Sequence, residues 1–137
     1  MKREFDELGP REVLYVEDHP TNVALMQALF RRRPHLELVV AVDGQQARDI
    51  ALHMRPSLLL LDLRLPDCDG VSLLQELRRF DGWETLPAVA VTAEQGFETG
   101  GTGFREIWPK PIDLAFVLSR LDELAPQVQR EAAQAVG

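Results

Sequence analysis

"SLLLLDLRLPDCDG", residues 57–70, carries four consecutive leucines, Leu58 to Leu61, straight into an aspartate, Asp62. An unbroken apolar run of strand length fits a strand covered on both faces, and such strands belong to parallel sheets. A buried, unpaired carboxylate costs several kcal/mol, so Asp62 needs either solvent at the strand end or something that holds it. Asp69-Gly70 then opens a helix whose inward stripe reads Val71, Leu74 and Leu77.

Outward from this stretch the same alternation continues. Apolar segments at 13–17, 36–42, 88–92 and 104–108 read as strands beside the one at 58–62. Between them lie segments of helical period. Pro20 suits a first helical position, and Val23, Leu25, Met26, Leu29 and Phe30 form one apolar arc before Pro34. Ala47, Ile50, Ala51 and Met54 make a second stripe that ends before Pro56; after Pro111, Asp113 can cap a last helix carrying Leu114, Val117, Leu118, Leu121 and Leu124. The pattern predicts an α/β fold, a doubly wound five-stranded parallel sheet with helices on both faces. One crossover departs from it. The ten residues AEQGFETGGT after Thr92 include Gly96, Gly100 and Gly101, each costing a helix about 1 kcal/mol relative to alanine, so the fourth crossover helix is expected to be short or absent.

With 137 residues, 45% hydrophobic and 27% charged, the chain suits one domain, here residues 1–125, and residues 126–137 read as a C-terminal tail, helical or mobile. No apolar run is long enough to span a bilayer. The charged N-terminus lacks a signal-peptide core, and Cys68 is the only cysteine, so a cytoplasmic location is expected. A net charge of -7 argues against nucleic-acid binding through a basic face.

Candidate functional residues gather at the carboxyl ends of the strands, where open α/β sheets form their binding crevice. They are Glu17 and Asp18 after the first strand, Asp62 after the third, Thr92 at the end of the fourth and Lys110 after the fifth. Three carboxylates offer hard oxygens to a cation such as Mg²⁺; without one they would repel each other. His19 is read as a bystander, because no second histidine or cysteine stands at ligand spacing and Mg²⁺ prefers oxygen. Asp67 and Asp69 are expected to shape the turn before Gly70, and Cys68 to pack.

In VLYVEDHPTN, LLLLDLRLPDCDG, PAVAVTA and GFREIWPKPI, the chain resembles the receiver domain of two-component response regulators. The resemblance runs from about Arg11 to Leu124. It implies a flavodoxin-like sheet of strand order 2-1-3-4-5 and a cis Lys110-Pro111 bond. It further implies that Asp62 accepts a phosphoryl group from a sensor histidine kinase or phosphotransfer protein. Asp18, Asp62 and the backbone carbonyl of Arg64 would hold Mg²⁺, with Glu17 acting through a bound water. Lys110 would pair with a phosphoryl oxygen, and Thr92 would turn its hydroxyl toward it. Arg64 and Glu94 occupy positions that tune phosphoryl lifetime in this family; the opposite charges there are expected to pair across the crevice, or Arg64 to reach the phosphoryl oxygens, and either would slow self-hydrolysis. The chain would be no enzyme beyond its own phosphorylation and dephosphorylation, and no effector domain is expected.

Two departures bear on output. The position three before the lysine, usually Tyr or Phe, is Ile107, and Trp108 one residue later faces the opposite side of the sheet. With the shortened crossover, this predicts that output, or a homodimer, uses a face other than the usual fourth-helix surface, such as the last helix or the edge near the fifth strand. The alternative is a phosphorylation-independent interaction domain, which the intact set of site residues disfavours. A haloacid-dehalogenase-type hydrolase would need an aspartate where Arg64 stands. A mononucleotide binder would want a glycine-rich phosphate loop in place of EDHPTN.

Overall fold

The computed structural model of the chain describes residues 11–124; the tail expected at 126–137 lies outside the described residues. Five strands, β1 (Arg11–Val16), β2 (Leu36–Ala41), β3 (Leu58–Leu61), β4 (Ala88–Thr92) and β5 (Glu106–Pro109), form one parallel sheet in the order β2-β1-β3-β4-β5. Four helices accompany them: α1 (Pro20–Phe30), α2 (Gly44–Ala51), α3 (Gly70–Leu77) and α4 (Leu114–Leu124).

Strand period sorts the core into two layers. Leu14, Val16, Leu59, Leu61, Ala88 and Ala90 point to one face, where Ala47 and Ala51 of α2 and Leu73, Leu74 and Leu77 of α3 cover them. Val13, Tyr15, Leu58, Leu60, Val89 and Val91 point to the other, against Met26, Leu29 and Phe30 of α1 and Val117 and Leu121 of α4. All four leucines of β3 are therefore buried, two on each side. Fully burying a leucine stabilises the fold by roughly 1.5–3 kcal/mol, which explains why no polar residue interrupts the run until the strand ends.

The fourth crossover, residues 93–105, contains no helix. Aromatic side chains of the crossover and of the loop after α3 pack into the α2/α3 layer. Trp83, buried in the loop after α3, stacks at a tilt on Phe80 with ring centroids 6.0 Å apart, while Phe97 meets Phe104 edge-on at 6.2 Å. Arg78 ties this region together. Its guanidinium donates to the carbonyls of Trp83 (3.0 Å), Leu86 (2.5 Å) and Gly103 (3.2 Å), bracing the loop after α3 against the crossover.

Several expectations are corrected in detail. β5 starts at Glu106 rather than 104: Phe104 is buried in the α2/α3 layer, and Arg105 N–H bonds the Ala88 carbonyl where the chain joins the sheet. Glu17, Val42 and Asp62 fall just outside their strands. Met54 lies beyond α2, which ends at Ala51. Leu25 and Leu114 are 47% and 44% exposed, so the stripes of α1 and α4 are narrower than their apolar residues imply. Trp108 is fully buried in the α1/α4 layer, donating its indole N–H to Glu106 at 3.0 Å, which agrees with its facing away from the Ile107 side.

The Arg78 brace generates a test. Hydrogen bonds to a charged donor contribute about 1.5–3 kcal/mol, so Arg78→Ala should lower unfolding free energy by about 2–3 kcal/mol in urea titration. An unchanged midpoint would mean that the three carbonyls find equivalent partners without it.

Candidate functional site

Asp62 sits immediately after β3, at the point where neighbouring strands lead away in opposite chain directions, and is only 5% exposed. The local chain is built to hold it. Asp69 caps α3 by accepting the Ser72 N–H at 2.9 Å, and Gly70 packs so closely that a β-carbon there would collide with the Asp62 carbonyl oxygen and stand 2.9 Å from Leu63 Cα. Asp67 does more than shape this turn. Its two oxygens accept the N–H groups of Gly44 (2.9 Å) and Gln45 (3.0 Å), docking the loop onto the start of α2. Cys68 is half-buried against Gly44, and burial above all pushes its thiol up to about 11, so packing rather than reactivity describes it.

Lys110 supplies the counter-charge. The backbone bends at the cis Lys110-Pro111 bond just after β5, and the ammonium lies 3.0 Å from Asp62 Oδ2 and 2.8 Å from Glu17 Oε1. Asp62 Oδ1 accepts the Arg64 N–H at 3.2 Å. Burial drives the Asp62 carboxyl above the usual aspartate range, with Glu17 adding to the shift, while Lys110 and the Arg64 N–H pull against it. For Lys110 burial works downward, but its hydrogen bonds to Glu17 and Asp62 prevail and hold it above the ordinary lysine value.

Glu17 is fully buried and fully engaged. Tyr15 donates its phenol to Oε1 at 3.2 Å, and the His19 N–H reaches Oε2 at 3.1 Å. Tyr15 is the member of this network that the strand reading passes over. Its signal is chemical: a tyrosine in the middle of a buried strand needs a partner for its hydroxyl, and the acid two residues on faces the same way.

Asp18 differs. Its Oδ1 is buried without a hydrogen-bond partner among the described residues. Glu17, Asp18 and His19 bring ligand atoms within 4.8 Å of one another, and Asp62 pairs with Lys110 beside them. A buried carboxylate oxygen lacking a donor beside a second carboxylate is a donor set suited to a hard divalent cation. The residues present thus fit one.

Thr92, 3% exposed, faces the same crevice, and its hydroxyl accepts the Glu94 N–H at 3.0 Å. Its lining comprises His19, Asp62, Arg64, Thr92, Ala93, Glu94 and Lys110. Arg64 and Glu94 meet across the mouth at 3.1 Å, as opposite charges there should. Every residue read from the sequence as a site candidate is thus brought to one end of the sheet.

A removal of charge tests this electrostatic description. Because the folded carboxyl of Asp62 titrates above its unfolded value, its ionised form opposes folding, fully so above the folded pKa and not at all below the unfolded value of about 4. In cation-free buffer, Asp62→Asn should melt higher than wild type at pH 7, with the advantage shrinking toward pH 4. A lower melting temperature at pH 7, or a gain independent of pH, would contradict it.

Comparison with known proteins agrees with this geometry. Residues 13–121 match the response regulator receiver domain family. The chain is 37% identical over 122 residues to the transcriptional activator protein PfeR of Pseudomonas aeruginosa, aligning 88% of itself with 39% of that protein. It is 33% identical over 84 residues to the polar-differentiation response regulator DivK of Brucella anthropi, aligning 61% of itself with 68% of that protein. The chain thus spans well under half the length of the first of these relatives. Among solved structures, the receiver domain of a sensor histidine kinase from Pseudomonas aeruginosa PAO1, with a magnesium ion coordinated in its active site cleft, superposes with a TM-score of 0.75 at 28% identity, covering 85% of this chain and 98% of that one. Fold, strand-end residues and these likenesses converge: the chain belongs to the receiver domain family of two-component signal transduction.

Proposed function

We propose that this receiver accepts a phosphoryl group on Asp62 from the phosphohistidine of a sensor kinase or phosphotransfer protein and signals through protein contact or onward relay. The observation that carries this reading is the Asp62 carboxylate, buried at a strand end yet open to the crevice, with Lys110 on one oxygen and a backbone N–H on the other. Thr92 stands ready on the same crevice wall.

In the transfer, a carboxylate oxygen of Asp62 bonds to phosphorus as the phosphorus–nitrogen bond breaks, and the departing imidazole keeps the bonding pair and takes up a proton. Lys110 must then leave Asp62 and follow the negative charge onto a phosphoryl oxygen. Glu17 keeps the ammonium within reach meanwhile, because Tyr15 and the His19 N–H hold its carboxylate in place. Thr92 exchanges its bond from the Glu94 N–H for one it donates to the phosphoryl group, a small movement that biases the adjoining loop. Asp18, Asp62 and the Arg64 carbonyl would hold Mg²⁺, with Glu17 acting through a bound water, and the bound ion would supply positive charge that offsets the carboxylates and the phosphoryl oxygens. The unpartnered Asp18 oxygen supports that assignment.

Arg64 and Glu94, paired over the mouth, limit the access of water to the acyl phosphate. Output through a surface other than the one receivers usually build on the crossover helix between β4 and β5 belongs to the same proposal. The crossover helix is missing, Ile107 replaces the usual aromatic, and α4 presents Leu114 and Phe116, 44% and 39% exposed.

Intact-mass measurement after incubation with acetyl phosphate and Mg²⁺ should show one phosphoryl adduct, lost in Asp62→Asn and on removal of the metal; an adduct that survives either change would defeat the assignment. Exposed ion pairs contribute about 0.2–1 kcal/mol, equivalent to at most about fivefold in rate. Arg64→Ala should accordingly shorten the acyl phosphate lifetime by about two- to fivefold, and an unchanged lifetime would remove the tuning role.

A further inference from the structure

His19 breaks a local rule. It occupies the N-cap of α1, a position where Ser, Thr, Asp or Asn would satisfy a free backbone N–H, and its imidazole makes no capping hydrogen bond. The side chain is exposed and lines the crevice with Asp62, Thr92 and Lys110, and one of its ring nitrogens lies within 4.8 Å of carboxylate oxygens of both Glu17 and Asp18. Its backbone N–H is meanwhile fastened to Glu17 Oε2, which holds the residue at the acidic pair. Local rules that fail without a packing reason mark functional positions.

From this juxtaposition we infer that His19 is an additional ligand for the divalent cation of the crevice, giving a site built for hard oxygen donors one borderline nitrogen donor. This rests on the cation-binding reading above. The chemistry has a direction. Mg²⁺ gains almost nothing from imidazole, whereas first-row transition ions gain progressively from Mn²⁺ through Co²⁺ to Ni²⁺. Within that 4.8 Å cluster Asp18 carries the oxygen, Oδ1, that has no hydrogen-bond partner among the described residues, so Asp18 and His19 are the consecutive residues that would share the cation. His19 thereby sets which class of divalent cation the receiver takes.

The test compares wild type, His19→Gln and Asp18→Asn by calorimetric titration with Mg²⁺, Mn²⁺, Co²⁺ and Ni²⁺, with electron spin echo modulation recorded on the Mn²⁺ form. Glutamine keeps a polar, flexible side chain at an exposed position, so folding is not at stake. Asp18→Asn defines the uptake that belongs to the crevice. His19→Gln should leave Mg²⁺ affinity within about twofold, weaken Mn²⁺ by a few fold and Ni²⁺ by on the order of tenfold or more, in that graded order. It should also erase a ¹⁴N modulation present in wild type. A penalty equal for all four cations, or no ¹⁴N coupling in wild type, overturns the assignment while the oxygen site stands. Absence of any uptake sensitive to Asp18→Asn removes the site itself, and His19's role with it.

Discussion

The contact on which this structure depends is the Lys110 ammonium lying between Glu17 and Asp62. Two carboxylates brought to neighbouring strand ends in a sparingly solvated crevice would repel each other, and burial alone would push at least one toward protonation. A single ammonium, delivered from the far strand by the turn at Lys110-Pro111, offsets both. Several elements of the fold keep these three groups together: β1 and β3 adjacent at the switch point, β4 bridging to β5, and Gly70 allowing the α3 start to press against Asp62.

The same arrangement is poised to change. Removing one partner of a buried ion pair leaves an uncompensated charge, so Lys110 cannot depart unless positive charge arrives or negative charge moves. Phosphoryl transfer moves negative charge, and a divalent cation supplies positive charge. Asp18 stands outside the Lys110 bridge with an oxygen still wanting a donor, which makes it the natural point of entry for a cation. Tyr15 holds Glu17 through a hydrogen bond that does not involve Asp62.

Much of this was legible in the amino-acid sequence. The leucine run of β3 and the apolar segments of β1 and β4 announce a sheet covered on both faces, and acids or hydroxyls that terminate apolar runs mark the crevice. What escaped depends on contacts between distant segments. Nothing local to Trp83 says that it is buried in the α2/α3 layer, and nothing in Asp67 says that it reaches α2. The start of β5 was set by Phe104 turning into the core rather than by strand propensity. Leu25 and Leu114 show the limit of periodicity: an apolar residue on the edge of a stripe is buried only if a neighbouring element extends far enough to meet it. Around the helix-free crossover, Phe97 packs edge-on against Phe104 and Arg78 ties the loop after α3 to Gly103.

The central claim is that Lys110 exchanges a carboxylate for a phosphoryl oxygen while Asp62 becomes covalently modified. A crystal structure of the protein with Mg²⁺ and beryllofluoride addresses it most directly. The account predicts beryllium bonded to an Asp62 oxygen, Lys110 Nζ moved onto a fluoride, and the Thr92 hydroxyl turned toward another. Lys110 still bridging Glu17 and Asp62 beside a bound beryllofluoride, or beryllium bonded elsewhere, would contradict it.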